Sequence, residues 1–211
     1  MRRLFIAATV VVALALVGDL AARLVHERRL EGWLNAREDI DNAVLTLDAW
    51  PFTLNSGDNT FPKASLSLTV QREGFQYTPI DLHLRSFYYY RNAQCPGRTR
   101  YLVGASDGTG EAFVTRDDLM RSLEREGFSD VDVSDEAMVV EDSDGQTFRI
   151  TDAAIRPNDI SGDIVLPLTP TRKVLIRLPE PVDGVKFKDV IFEDGGVRLP
   201  FTIIDPELAC V

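Results

Sequence analysis

After the first 35 residues, apolar and polar positions alternate along most of this chain. "KASLSLTVQRE" (63–73) puts Ala64, Leu66, Leu68 and Val70 on one face and Ser65, Ser67 and Thr69 on the other. "TPIDLHLRSFYYYRN" (78–92) sets Ile80, Leu82 and Leu84 against Asp81, His83 and Arg85. A period of two is the signature of half-buried strands. Further strands are predicted at 110–114, 129–134, 137–141, 146–151, 163–168, 173–178, 185–193 and 197–204. "DSDGQ", "PVDG" and "EDGG" supply the turn chemistry between several of them.

Helical spacing occurs twice. In "DLAARLVHERRLEGWLN" (19–35), Leu20, Leu24, Val25, Trp33 and Leu34 recur at helical intervals after Asp19, a capping residue. In "TRDDLMRSLEREG" (115–127), Thr115 and Asp118 have the spacing of a capping box, Leu119, Met120 and Leu123 form the stripe, and Gly127 is the stop. About ten strands with two helices predict a β-dominated α+β domain with an antiparallel sheet.

One stretch breaks the pattern. In "LTLDAWPFTLNSG" (45–57) Leu45, Leu47 and Ala49 are apolar at odd positions, but Trp50, Phe52 and Leu54 at even ones. A one-residue slip moves the apolar set to the other face, and Pro51 cannot donate to a ladder. The expectation is a bulge that bends the strand and turns Trp50, Phe52 and Leu54 into the concave side of a curled sheet. Val185 and Phe187 followed by Val190 and Phe192 repeat the slip near the other end.

The N-terminus, "MRRLFIAATVVVALALVGD", has Arg2 and Arg3 before fifteen uncharged residues, Leu4 to Gly18. It reads as an export signal over 1–18, either retained as an anchor in the cytoplasmic membrane or cleaved, ahead of a domain over 19–211, with a buried N-terminal helix of a cytosolic protein as the third alternative. Net charge over the 211 residues is −10, without a basic block, which sets nucleic-acid binding aside. Cys95 and Cys210 allow one disulfide across a long loop, or two unrelated thiols.

Catalytic and metal motifs are missing. His26 and His83 lack ligand-spaced neighbours, so no metal or cofactor is expected, and His83 reads as a surface strand position. "GASDGTG" (104–110) reads as a loop without the following helix that a phosphate cradle needs, and "EDSDGQ" as a hairpin turn. What stands out instead is apolar strand surface with few helices to cover it. A curled sheet covers that surface itself, as a filled core, or holds something apolar against it.

"VLTLDAWPFTLN" resembles a strand with a Pro-Phe step in the LmeA-like envelope phospholipid-binding proteins of actinobacteria. "GTGEAFVTRDDLMRSL", "FRITDAAIRPNDISGDIVLPL" and "IRLPEPVDGVKFKDVIFEDGGVRLPF" are similar to later segments of that family, in matching order. The tyrosine run at 87–90 and "RNAQCPGRTR" have no counterpart in it. The resemblance implies a long curved antiparallel sheet wrapped around a helix, as in tubular lipid-binding proteins, and no catalytic residues. It also implies binding of phospholipid or glycolipid acyl chains outside the cytoplasmic membrane, in support of envelope glycolipid assembly. The lining expected on this reading is Trp50, Phe52, Leu54, Leu66, Leu68, Ile80, Leu82, Leu84 and Tyr88. Tyrosine hydroxyls or Arg85, Arg91, Arg98 and Arg100 would meet the lipid head. Two alternatives stay open: a scaffolding envelope domain with a filled core, and an enzyme acting on lipid-linked sugars.

Overall fold

The structure is a computed structural model that describes residues 2–55, 58–92, 94–95, 101–158 and 161–210, without the side chains of residues 2–8, 54 and 55. A long helix, α1 (Arg2–Leu34), leads into β1 (Ile40–Asp48). A single helical turn, α2 (Phe52–Asn55), precedes the two longest strands, β2 (Thr60–Arg72) and β3 (Phe75–Arg91). Next come β4 (Tyr101–Gly104), β5 (Asp107–Thr115) and α3 (Arg116–Glu124). A hairpin-linked sheet follows, of β6 (Phe128–Val133), β7 (Met138–Asp142) and β8 (Thr147–Ile150), then another of β9 (Ala154–Arg156), β10 (Asp163–Pro167) and β11 (Lys173–Arg177). The last elements, β12 (Val185–Phe187), β13 (Ile191–Glu193), β14 (Gly196–Ile204) and β15 (Glu207–Cys210), return to the first sheet.

That first sheet has nine strands in the antiparallel order β1-β2-β3-β5-β14-β12. β13 adds to β14, and β4 joins β3 to β15. The expected strand-dominated α+β architecture is therefore present, with an open sheet curved about α1. Its curvature has a local cause. β1 holds an extra residue between Asp41 and Val44, against Ser67 to Thr69 of β2, and β3 holds one between Tyr77 and Ile80, against Leu68 to Val70 of β2 and Ala112 to Val114 of β5. The two flank the same stretch of β2 and form a crease, since each extra residue bends its strand. Pro79 sits in that crease, where a missing N–H costs no ladder bond. A second bend is at Ser86, in the left-handed region at φ 47°. Beyond it β3 pairs with β4 and reaches the far side of α1.

Trp50-Pro51 is not such a bulge. β1 ends at Asp48, the Trp50–Pro51 peptide is cis, and α2 begins at Phe52. The phase slip marks a strand that stops, and this corrects the expected bend. The second slip divides the predicted 185–193 strand into β12 and β13, both paired with β14. "GASDGTG" is also corrected, because β5 starts at Asp107 and only Ala105 and Ser106 lie outside strands. Gly108 belongs to that strand: a Cβ there would lie 2.7 Å from the His83 carbonyl and 3.0 Å from the Leu84 side chain. The predicted 115–127 helix holds as α3, with Thr115 as N-cap and Gly127 at φ +88° after it.

α1 covers the exposed edge of β1. Asp19, Arg23, Glu27, Glu31 and Asn35 recur every four residues, about 6 Å apart along a helix. Outward-facing amides of an edge strand recur every two residues, about 6.7 Å. The two spacings match closely enough for side chains to take the place of a neighbouring strand. The Leu47 amide donates to Glu27 Oε1 at 2.7 Å, the Leu45 amide to Glu31 Oε1 at 2.9 Å, and the Ala43 amide to Asn35 Oδ1 at 2.8 Å. At the lower end Asp19 accepts from the Phe52 and Thr53 amides at 2.8 and 2.7 Å, and from Thr53 Oγ1 at 2.8 Å. Past the helix, Arg37 Nη1 donates to the Leu208 carbonyl of β15 at 2.6 Å. Cys95 and Cys210 form a disulfide that ties the segment after β3 to the end of β15.

Candidate functional site

The inner face of the sheet collects the predicted aliphatic positions. Leu66 is opposite Leu82 and Leu45, Leu68 opposite Ile80, and Leu84 opposite Ala64. Leu66, Leu68, Ile80, Leu82 and Leu84 are all buried. Their shared face follows from uninterrupted alternation between the crease and Arg85. Here this face is filled. Leu30 and Leu34 of α1 belong to the same core as these leucines, and at the far end so do Leu119 and Leu123 of α3 with Tyr77, Phe187 and Phe201.

An aromatic cluster fills the space between α1 and the sheet. Phe52 stacks on Phe61 at 5.4 Å and meets His26 at 5.1 Å. Phe61 approaches Phe87 and Tyr89, and Trp33 packs edge-on against Tyr89 at 5.9 Å and stacks on Tyr101 at 4.8 Å. Arg29 lies over the Trp33 ring at 4.8 Å. Burial raises the Tyr89 hydroxyl above the usual phenol range against the opposing pull of Arg29. Burial raises Tyr77 further, with Asp118 and Glu73 adding to it, and its hydroxyl donates to the Pro179 carbonyl at 2.7 Å. Both phenols stay neutral hydrogen-bonding groups at neutral pH.

The three residues of the Trp-Pro-Phe step have separate environments. Phe52 is fully buried, whereas Trp50 is 74% exposed and faces away from the core, contrary to the expectation that they turn inward together. The cause is the end of β1: with no strand alternation after Asp48, residue parity no longer sets the face. The Leu54 side chain lies outside the described residues. Tyr88 is half-buried rather than part of the inner face. It stacks on Tyr90 at 5.7 Å and lies over Gly104, where a Cβ would sit 2.9 Å from its hydroxyl. Burial, then Tyr90, Asp205 and Glu207, raise its pKa. Among the proposed head-group cations, Arg85 pairs with Asp107 at 2.5 Å and Arg91 is exposed, while Arg98 and Arg100 lie outside the described residues.

The opposite face of the sheet is polar. A trough of about 690 Å³ crosses it, floored by Thr46, Ser65, Ser67, His83 and Thr109, with Asp81, Glu111 and Lys188 in its lining. His83 Nδ1 is 3.3 Å from Ser65 Oγ, which agrees with a surface strand position. The described residues contain no group of three or more His, Cys, Asp or Glu side chains placed to hold a metal ion.

α1 leaves the domain with an apolar surface. From Thr9 to Leu34 it is long and apolar enough to cross a membrane, by length and composition, which is compatible with an anchor or a signal sequence. Sequence patterning does not single out the polar stripe that joins α1 to β1, although its four-residue spacing is visible. Comparison with protein-family models, with characterised proteins and with solved structures returns no match.

Proposed function

We propose that this protein binds lipid at the outer side of the cytoplasmic membrane, where α1 anchors it, and holds phospholipid or glycolipid acyl chains against the inner face of its curved sheet. One observation carries the reading: the apolar inner face runs without interruption into the helix that leaves the domain. Leu66 and Leu82 continue through Phe61 and Phe52 to α1 beside His26, and the helix below exposes Leu14, Leu16, Val17 and Leu20. The resemblance to the LmeA-like family supports the same assignment.

α1 and its aromatic cluster close that face, so an acyl chain is admitted by moving α1 away from β1. Three bonds across this boundary run between α1 side chains and β1 amides, and water takes their place as the helix moves off. Relative to water a buried methylene contributes about 0.8 kcal/mol, so about ten of them hold a chain against release into water by roughly 8 kcal/mol.

The test is native mass spectrometry of the full chain extracted in amphipathic polymer, followed by titration with a fluorescent phospholipid. Expected are one co-purifying lipid per chain and saturable uptake, with faster amide exchange in β1 while lipid is bound. A folded chain that carries no lipid and takes none up would return the inner face to a plain core.

A further inference from the structure

We propose that the end of the sheet carrying Trp50 docks into the bilayer surface, with the Trp50 ring at the boundary between headgroups and acyl chains. This rests on the reading that α1 enters the membrane, and it goes beyond lipid holding by fixing how the domain sits on that membrane.

The first observation is where the exposed apolar surface of α1 ends. Leu20, Leu24 and Val25 are 57%, 47% and 64% exposed, although they lie above Asp19, where the uncharged run stops. From Leu4 to Gly18 a helix spans only about 22 Å, short of a hydrocarbon core of about 30 Å. Extended to Arg23 it spans about 30 Å, which suffices and leaves Leu24 and Val25 at the level of the headgroups. The two charges within this extension are turned toward protein: Asp19 is buried against α2, and Arg23 pairs with Glu27 at 2.8 Å. Arg28 is the first exposed cation after them, placed for lipid phosphates.

The second observation is the level at which the domain joins the helix. The Leu47 amide binds Glu27 and the Phe52 and Thr53 amides bind Asp19, so Trp50 lies between those two helix turns, near the level of Arg23. A hydrocarbon boundary near Arg23 therefore meets Trp50, with Arg28 about 7.5 Å higher at the depth of the phosphates. Trp50 is exposed at that place, and an amphipathic indole is the side chain enriched at membrane–water interfaces. Asp48, Lys63, Arg85 and Asp107 form a charged row across β1, β2, β3 and β5 just above, which limits insertion to the tip.

The full chain with Trp33→Phe, leaving Trp50 as sole tryptophan, is reconstituted in phosphatidylcholine–phosphatidylglycerol vesicles. Quenching is read with acyl chains brominated at shallow or deep positions and with aqueous iodide, and insertion of α1 by resistance to alkaline extraction. A second preparation keeps Trp33 and carries Trp50→Phe, so that the difference from wild type isolates the same signal. Docking predicts shallow bromines quenching at least twofold more than deep ones, and iodide protection of severalfold relative to free tryptophan. A chain that resists extraction while Trp50 stays open to iodide and untouched by bromolipid overturns docking and leaves lipid uptake intact. A chain released at alkaline pH overturns the anchor and docking together. Docking without any co-purifying lipid would separate this proposal from the lipid-holding one.

Discussion

Replacing Glu27 with alanine is the sharpest probe of how the sheet edge is closed. Glu27 is buried, and its Oε1 accepts from the fully buried Leu47 amide at 2.7 Å and from Arg23 Nε at 2.8 Å. Glu27→Ala leaves the Leu47 amide without an acceptor, in a place where α1 still excludes water. A buried donor without a partner costs about 1–3 kcal/mol, and a bond to a charged acceptor sits in the upper part of that range. The loss of the partly exposed Arg23 pair adds no more than about 0.5 kcal/mol. The expected total is about 2–3 kcal/mol, most of it felt where β1 meets α1.

Amide exchange read by mass spectrometry on fragments covering β1 measures this directly. Since 1.4 kcal/mol is a factor of ten, exchange at residues 44–48 should quicken by roughly 30- to 140-fold. Glu27→Gln keeps an acceptor oxygen and loses the charge, so it should recover at least half of the loss on a logarithmic scale. Two results would refute the reasoning. One is exchange in β1 that does not respond to Glu27→Ala. The other is an equal acceleration in the separate β6–β7–β8 sheet, which would mean global loosening in place of a local edge.

Two further outcomes follow from long-range ties. Replacing Cys95 and Cys210 with serine opens a link across 115 residues, and the loop-entropy relation predicts about 4–5 kcal/mol lost in urea unfolding; equal midpoints for the two chains would show the tie to be inert. Asp39 binds Arg37 through both carboxylate oxygens, with Arg72 at 3.1 Å, and the Arg37 bond holds its pKa below the usual carboxylate range against partial burial. With the folded pKa depressed, its contribution is present above the ordinary value of about 3.9 and is lost as pH falls through the lower folded one. Asp39→Asn should therefore cost under about 1 kcal/mol at pH 7, a difference that shrinks below about pH 4 in denaturant titrations at stepped pH.

Alternation found the inner face because Leu66, Leu68, Ile80, Leu82 and Leu84 lie in unbroken stretches of β2 and β3, where parity and face are the same thing. It failed at Trp50, where the chain leaves the strand, and at Gly108, where glycine signals close packing in place of a turn. The crease was out of reach too, although Pro79 within a strand pattern was its visible mark. The polar stripe on α1 was hidden for a different reason. Residues four apart on a helix read as a solvated face unless it is known that an edge strand lies alongside.

That stripe also bears on how one helix serves both solvents. On the anchored reading, Asp19 belongs to the portion of α1 level with the lipid boundary, where a carboxylate without partners is costly. The structure gives it three donors, the Phe52 amide, the Thr53 amide and the Thr53 hydroxyl, all from the chain just after the break at Trp50. A continuous strand through residues 49–53 would aim successive amides to opposite sides and bring only one of that pair to Asp19. The turn at α2 brings both to one carboxylate, because the first amides of a helical turn are free of intrahelical partners. The break that ends β1 thus satisfies the acidic residue nearest the N-terminal apolar run, and it leaves Trp50 outside the fold just above that level.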